Sequence, residues 1–247
     1  LTWEFGPPAG GPDDITTNFK PMPKHGKRYT TNAAKVEKKS YSVSDAISLI
    51  KSLVPAKFDE AVEVHLRLGI DTTQGDQQVR GTVVLPHGLG KTKRVAVFAD
   101  GESELKAKEA GADIVGGKEL IEKISQTGKI DFDVAIATPD MMRELPKIAK
   151  ILGPKGLMPS PKNETVTTNI LKAVQELKAG KIAFKNDQNG NIHQSLGKVS
   201  FSPDQLNENF STFIDAVRRA KPAASKGTYV LNVSLSTTMG PVILIAQ

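Results

Sequence analysis

The sequence contains no cysteine. Disulfide bonds, thiolate metal sites and cysteine nucleophiles are therefore excluded, and any chemistry must come from other side chains. Long apolar runs are missing too, since none approaches the roughly 20 residues that a membrane-spanning helix requires. The stretch from Leu1 to Lys24 also lacks the apolar core of a signal peptide. We therefore expect a soluble protein with no membrane partner.

Motifs that hold cofactors fail at critical positions. The segment HGLGKTK matches the end of a phosphate-binding loop at Gly90–Thr92, but Leu85 stands where that loop needs a glycine. A dinucleotide fingerprint beginning at Gly88 fails at Lys93. The four histidines are His25, His65, His87 and His193. They are too dispersed for a helical metal site, and no G-x-S-x-G nucleophile elbow is present. The sequence thus predicts no cofactor and no metal. The absence of a motif does not exclude an enzyme, so a small α/β enzyme stays open as the alternative from another functional class.

Basic residues exceed acidic ones by 33 to 27, which gives a net charge of +6 and predicts attraction to polyanions such as nucleic acid. Basic residues are concentrated between Lys24 and Lys39, where Glu37 is the single acidic residue. Taken alone, this basic segment fits a solvated surface as well as a phosphate-binding one. Before it, residues 1–22 form a Gly- and Pro-rich extension that either stays free or lies along a partner.

Periodicity predicts a mixed fold. Ser42 starts a helix with one apolar stripe, and EAVEVHLRLGI alternates as a strand with one polar face. VRGTVVLP reads as a second strand. One helix and two strands cannot cover a sheet, so this first segment needs partners from later in the chain. The middle of the chain alternates strands and helices, as a parallel α/β domain does, beginning with the strand RVAVFA. Its third helix, over DMMRELPKIAKILG, is expected to be interrupted or kinked by Pro146.

The last third supplies the missing elements. TTNILKAVQELKAG reads as a helix, KIAFKNDQNGNIHQSLGKVSF as a hairpin turning at Asn189-Gly190, and Ser202 as the cap of another helix. The fold class is therefore α/β and α+β with two domains. Residues 23–88 and 180–247 are expected to form a discontinuous α+β domain, and residues 89–179 an inserted Rossmann-like parallel α/β domain. Two adjacent strands at the crossing would form a hinge.

The polar strand face is the candidate binding surface. Lys57 and Phe58 stand at its start, and Glu63, His65 and Arg67 lie along it. Cations, hydroxyls and an exposed aromatic are the groups that bind RNA through phosphates, sugars and base stacking. The plainer alternatives are a buried core position for Phe58, an exposed polar role for His193 near Lys198, and an ion pair of Glu63 with Arg67 or Lys198.

Several segments resemble a known family in order and spacing: KFDEAVEVHLRLGID, VRGTVVLPHGLGK, AGADIVGG, ILGPKGLMP, AGKIAFKND and STTMGP. The family is the large ribosomal subunit protein one family of the bacterial and organellar type, and the resemblance runs from about Pro23 onwards. It implies a monomer within the ribosome that binds large-subunit ribosomal RNA, forms the mobile stalk and assists release of deacylated tRNA from the exit site. It also implies repression of translation through binding to the protein's own messenger RNA.

The resemblance also implies site residues. The family's RNA surface matches Phe58, Glu63, Thr238, Met239 and Gly240, with Glu63 accepting from a ribose hydroxyl. Asn232 stands where relatives often have serine. The complete predicted RNA-binding set is Lys57, Phe58, Glu63, His65, Arg67, His193, Lys198, Asn232, Thr237, Thr238, Met239 and Gly240.

The resemblance leaves the compartment open among bacterium, plastid and mitochondrion. Because the sequence starts at Leu1 with an additional tail, it slightly favours a processed, imported organellar chain. An RNA-binding assembly or repressor factor that acts off the ribosome is the alternative within the same class.

Overall fold

The computed structural model describes residues 26–37 and 39–246. The predicted extension, residues 1–22, lies outside them, as do Lys24 and Lys38 of the basic segment. The helices are α1 (Lys27–Lys35), α2 (Val43–Ser52), α3 (Glu102–Glu109), α4 (Lys118–Thr127), α5 (Ala149–Leu152), α6 (Ile170–Ala179) and α7 (Pro203–Arg219). The strands are β1 (Ala61–Leu68), β2 (Arg80–Val84), β3 (Val95–Phe98), β4 (Ile114–Gly116), β5 (Val134–Ala137), β6 (Lys181–Lys185), β7 (Asn191–Lys198), β8 (Val230–Thr237) and β9 (Ile243–Ile245). Short 3-10 helices cover Gly75–Gln77, Met141–Arg143, Leu145–Ile148 and Pro161–Asn163.

A four-stranded antiparallel sheet joins the two ends of the described chain in the order β7-β1-β8-β9. β1 alternates as predicted, and the side chains that it buries are Val62, Val64, Leu66 and Leu68. They share one core with α2 and α7. The predicted caps start both helices, because Ser42 accepts a hydrogen bond from the Asp45 N–H and Ser202 forms a reciprocal capping box with Gln205. The helices therefore cover one face of the sheet and leave the other open.

The middle of the chain forms a parallel three-stranded sheet in the order β4-β3-β5. β3 is buried on both faces, since Val95 and Val97 pack towards α6 while Ala96 and Phe98 pack towards α4. The predicted fold class, a two-domain mixture of parallel α/β and antiparallel α+β structure, is confirmed.

The helix expected over DMMRELPKIAKILG, with an interruption or kink at Pro146, consists of two 3-10 segments followed by the short α5. Pro146 lies at the start of the second segment, where its missing N–H prevents a continuous helix. The expected hairpin is wrong, because β6 pairs with β2 and β7 pairs with β1. The predicted turn at Asn189-Gly190 does occur, and Gly190 has a left-handed φ of 78° there.

The β2–β6 pair carries the two connections to the parallel sheet. Gly88 follows β2 and Gly180 precedes β6, and both have positive φ values, 63° and 110°. Their backbones touch so closely that a Cβ on Gly180 would lie 2.5 Å from the Gly88 Cα. Only glycine allows this crossing. The exact bounds of the two domains, 23–88 with 180–247 and 89–179, stay a prediction.

Lys181 anchors this crossing. Its ammonium, on a side chain only 10% exposed, donates to carboxylates of Glu164 and Glu176, the latter at 2.8 Å. The Lys93 ammonium donates to the Lys181 carbonyl at 3.1 Å, and the Thr82 hydroxyl donates to Glu164 at 3.3 Å. Polar contacts thus join the β2–β6 pair to the inserted segment on both sides.

Candidate nucleic-acid interface

The open face of the antiparallel sheet is polar along β1, and an exposed leucine, Leu244 of β9, lies opposite Ser234 towards the edge. Its side chains form rows across the central strand β1, because residues directly opposite one another point to the same side of a sheet. The rows are Glu63 with Ser195 and Ser236, His65 with His193 and Ser234, and Arg67 with Asn191 and Asn232. The predicted residues Glu63, His65, Arg67, His193 and Asn232 are therefore brought together on one surface, together with serine hydroxyls that were not predicted.

The two histidines in the middle row contact each other. The Nδ1 atoms of His65 and His193 lie 2.8 Å apart, and His65 Nε2 lies 3.0 Å from the Ser236 hydroxyl. One Nδ1 must accept while the other donates, so at most one of the two rings is protonated. Burial and the neighbouring His193 lower the pKa of His65 below its usual value. His65 is therefore neutral at physiological pH. Its exposed partner His193 also faces a carboxylate, because its Nε2 lies 3.8 Å from Asp187 Oδ2.

Glu63 does not form the alternative ion pair with Arg67 or Lys198, and it has no ion pair in the described part of the chain. The Lys198 ammonium instead donates to the Asp59 carbonyl at 3.2 Å. Arg67 is exposed at the far end of β1. The Glu63 carboxylate thus remains available as an acceptor on the open face, and cations stand at both ends of β1.

The TTMGP segment makes the turn between β8 and β9. The Thr238 hydroxyl accepts the Ala61 N–H at 3.0 Å, and the Thr238 N–H donates to the Ala61 carbonyl at 3.1 Å. A Cβ on Gly240 would lie 2.3 Å from the Thr237 hydroxyl oxygen, so this position requires glycine. Met239 is left 53% exposed at the tip, whereas Thr237 is buried. Thr238 and Met239 are therefore exposed and Gly240 is half-buried, whereas Thr237, which was predicted to bind RNA, is turned inward.

Phe58 lies in the loop that enters β1, close to this turn, and is 55% exposed with Lys57 exposed beside it. The plainer alternative, a buried core phenylalanine, does not occur. Behind the ring is a cavity of about 280 Å³ whose lining includes Leu53, Pro55 and Thr237. An exposed aromatic and a lysine thus lie on the loop before β1, and an exposed thioether lies on the turn that the Ala61–Thr238 hydrogen bonds join to the start of β1.

Sequence reasoning missed Glu60, which is only 5% exposed. Burial alone would raise its pKa, but hydrogen bonds from Thr237, Arg28 and the Met239 N–H, together with the charge of Arg28, hold the pKa below its usual value. A signal was available, because Glu60 precedes the buried Val62 by two residues and so lies in register with the apolar face. An acid at such a position needs partners inside the protein.

Neither a metal centre nor a membrane span emerges from residues 26–37 and 39–246. No three of their His, Asp and Glu side chains are arranged to hold a metal ion, and none of their helices is both long and apolar enough to cross a bilayer.

Comparison with known proteins adds two findings. The profile of the ribosomal protein L1p/L10e family matches residues 49–241. A protein named "Large ribosomal subunit protein uL1" from Solibacter usitatus (strain Ellin6076) is 52% identical over 222 residues, covering 90% of this chain and 94% of that relative.

Proposed function

The chain belongs to the ribosomal protein L1p/L10e family, and we propose that it binds large-subunit ribosomal RNA with the open sheet face and the TTMGP turn. As a family member it is a structural protein of the large ribosomal subunit and not an enzyme. The observation that carries the proposal is that Phe58 and Met239 are both more than half exposed, on the loop before β1 and the turn after β8, beside the open face of the sheet.

Each group has a role suited to RNA. Arg67 and Lys57 attract phosphates, which position the protein without reading sequence. Glu63 would repel a phosphate, so it accepts from a ribose 2′-hydroxyl, a group that DNA lacks. Phe58 supplies a stacking surface, and Gly240 lets the RNA backbone approach the turn without a Cβ clash. Thr237 acts from inside by supporting the turn.

The finer functions belong to the same proposal. The domain that contains the open face anchors the protein, as a monomer, on ribosomal RNA. The inserted domain, residues 89–179, moves about the crossing of Gly88 and Gly180 and forms the mobile stalk that assists release of deacylated tRNA. Binding to a site of similar shape in the protein's own messenger RNA would repress its translation. The support for motion is the slender connection, a two-stranded β2–β6 pair with a glycine at each crossing.

The protein is placed on the ribosome by its family. Its named relative is bacterial, so that comparison gives no support to the slight preference for an organelle suggested by the sequence.

The test measures binding to a stalk-base ribosomal RNA fragment and to a scrambled RNA over a range of salt concentrations. The variants are Phe58→Ala, Met239→Ala and Thr238→Val, and Leu105→Ala is the matched control because Leu105 is 63% exposed on α3. We expect the wild type to prefer the fragment at physiological salt. The three site variants should reduce that preference while the control keeps it. If every variant binds both RNAs equally and loses both as the salt concentration rises, binding reflects only the protein's positive charge, and the proposed recognition surface is wrong.

A further inference from the structure

Glu60 is a buried carboxylate at the junction of the two segments that carry Phe58 and Met239. One of its oxygens, Oε1, accepts the Ala56 N–H at 3.0 Å and the Arg28 guanidinium at 2.7 Å. The other oxygen accepts the Met239 N–H at 3.2 Å. Through these bonds one side chain holds the loop before β1 and the turn after β8 in a fixed relation.

Arg28 completes the arrangement from the basic segment. It lies on α1, and while Nη1 contacts Glu60, Nη2 reaches the Met239 carbonyl at 3.4 Å. The guanidinium fork therefore spans the carboxylate and the turn, a geometry that lysine cannot reproduce. The basic segment therefore has a role besides the two predicted ones, a solvated surface or a phosphate-binding one: through Arg28 it holds the TTMGP turn in place.

We propose that Glu60 and Arg28 form a clamp that positions Phe58 and Met239 for RNA recognition and so sets specificity rather than general affinity for phosphate. This inference rests on the proposed function of the surface. Glu60 is too buried to touch RNA, so it is a positioning residue that acts through Phe58 and Met239. If both side chains are already held in place, less conformational entropy is lost when the specific RNA binds. Non-specific phosphate contacts do not use Phe58 or Met239, so their affinity does not depend on the clamp.

A first readout needs no RNA. In Glu60→Gln the neutral amide has only one acceptor oxygen where the carboxylate had two, and it loses the charge that holds Arg28. We expect amide hydrogen exchange at Met239 to accelerate. Exchange at Leu68 should stay slow, because its N–H donates to the Gly190 carbonyl at the opposite end of β1.

The second readout is the ratio of affinities for the fragment and the scrambled RNA, measured below the melting temperature of every variant. We expect Glu60→Gln to reduce this ratio by roughly tenfold, the scale of preorganising two side chains, while the affinity for scrambled RNA stays near the wild-type value. Arg28→Lys should reduce the affinity ratio by less than Glu60→Gln does. It replaces Glu60→Gln in the experiment if that variant folds poorly. The double variant should lose little more than Glu60→Gln, because the two residues act as one unit.

Lys27→Met is the control for general charge, since it removes a cation from the same helix as Arg28 without touching Glu60. It should weaken binding to both RNAs equally. An unchanged ratio in Glu60→Gln despite faster exchange at Met239, or an equal loss for both RNAs, would overturn the clamp and leave the proposed function standing. A wild type with no preference for the fragment would overturn the proposed function and the clamp with it.

Discussion

Replacing Lys181 by methionine tests whether the polar contacts at the crossing stabilise the protein. Methionine keeps the length and much of the apolar volume of the side chain but removes the ammonium that bonds to Glu164 and Glu176. A hydrogen bond between charged groups contributes about 1.5–3 kcal/mol when its partners are desolvated. Glu164 is 63% exposed and regains water, so its share must be reduced. We expect Lys181→Met to lower the free energy of unfolding by about 1–2 kcal/mol.

The assay is urea denaturation followed by circular dichroism, with Lys147→Met as the control. Lys147 also bonds to a glutamate, Glu144, but its side chain is 65% exposed, so its loss should leave the midpoint within error of the wild type. Equal midpoints for Lys181→Met and the wild type would refute the reasoning, since the contacts would then contribute nothing beyond an exposed pair.

The same network predicts a pH dependence. The hydrogen bond and the charge of Lys181 lower the pKa of Glu164 from its usual value. A carboxyl with a lowered folded-state pKa stabilises the protein above its unfolded-state pKa of about 4.3, and this stabilisation is lost as the pH falls through the folded-state value. Urea midpoints measured between neutral and acidic pH should therefore fall less steeply in Lys181→Met than in the wild type. Parallel curves would contradict the linkage.

Three further predictions concern single positions. Gly180→Ala should destabilise the protein more than Gly156→Ala, as measured by denaturation midpoints. Both positions have a left-handed backbone that costs alanine about 1–2 kcal/mol, but only a Cβ at position 180 would also clash with Gly88. Asn209→Ala should cost about 2–4 kcal/mol, since this fully buried amide bonds to three backbone groups, and an unchanged melting temperature would argue against it. His65 should titrate below the usual histidine pKa of about 6.5 in NMR, as its burial lowers the pKa, and a normal value would place the ring in water.

Elements with a strong local signal could be predicted from the sequence. Ser42 and Ser202 start helices because a hydroxyl followed by Asp45 or Gln205 satisfies the first free N–H groups. β1 follows from its alternation, and its need for later strands follows from the size of the first segment. The exposure of Phe58 could be expected only through the family resemblance, because an isolated phenylalanine is usually buried.

Features that depend on contacts between distant residues could not be predicted. The Asn189-Gly190 turn is a local signal and appeared where expected, but a turn does not decide which strand pairs with which. Ile182 and Phe184 of β6 are buried in the antiparallel core, and β6 pairs with β2 there. Glu60 depends on Arg28 and Met239 from opposite ends of the described chain, which no local pattern connects.

The position of β1 between β7 and β8 has a consequence for synthesis. β1 is made early, whereas both of its neighbours are made late, and Val62 pairs with Thr237. The parallel sheet between them uses only contacts closer in sequence, so it can fold while the ribosome is still translating. The open sheet face therefore cannot be complete on a nascent chain until Val230–Thr237 has emerged, so any ligand of this face can be bound only late in synthesis.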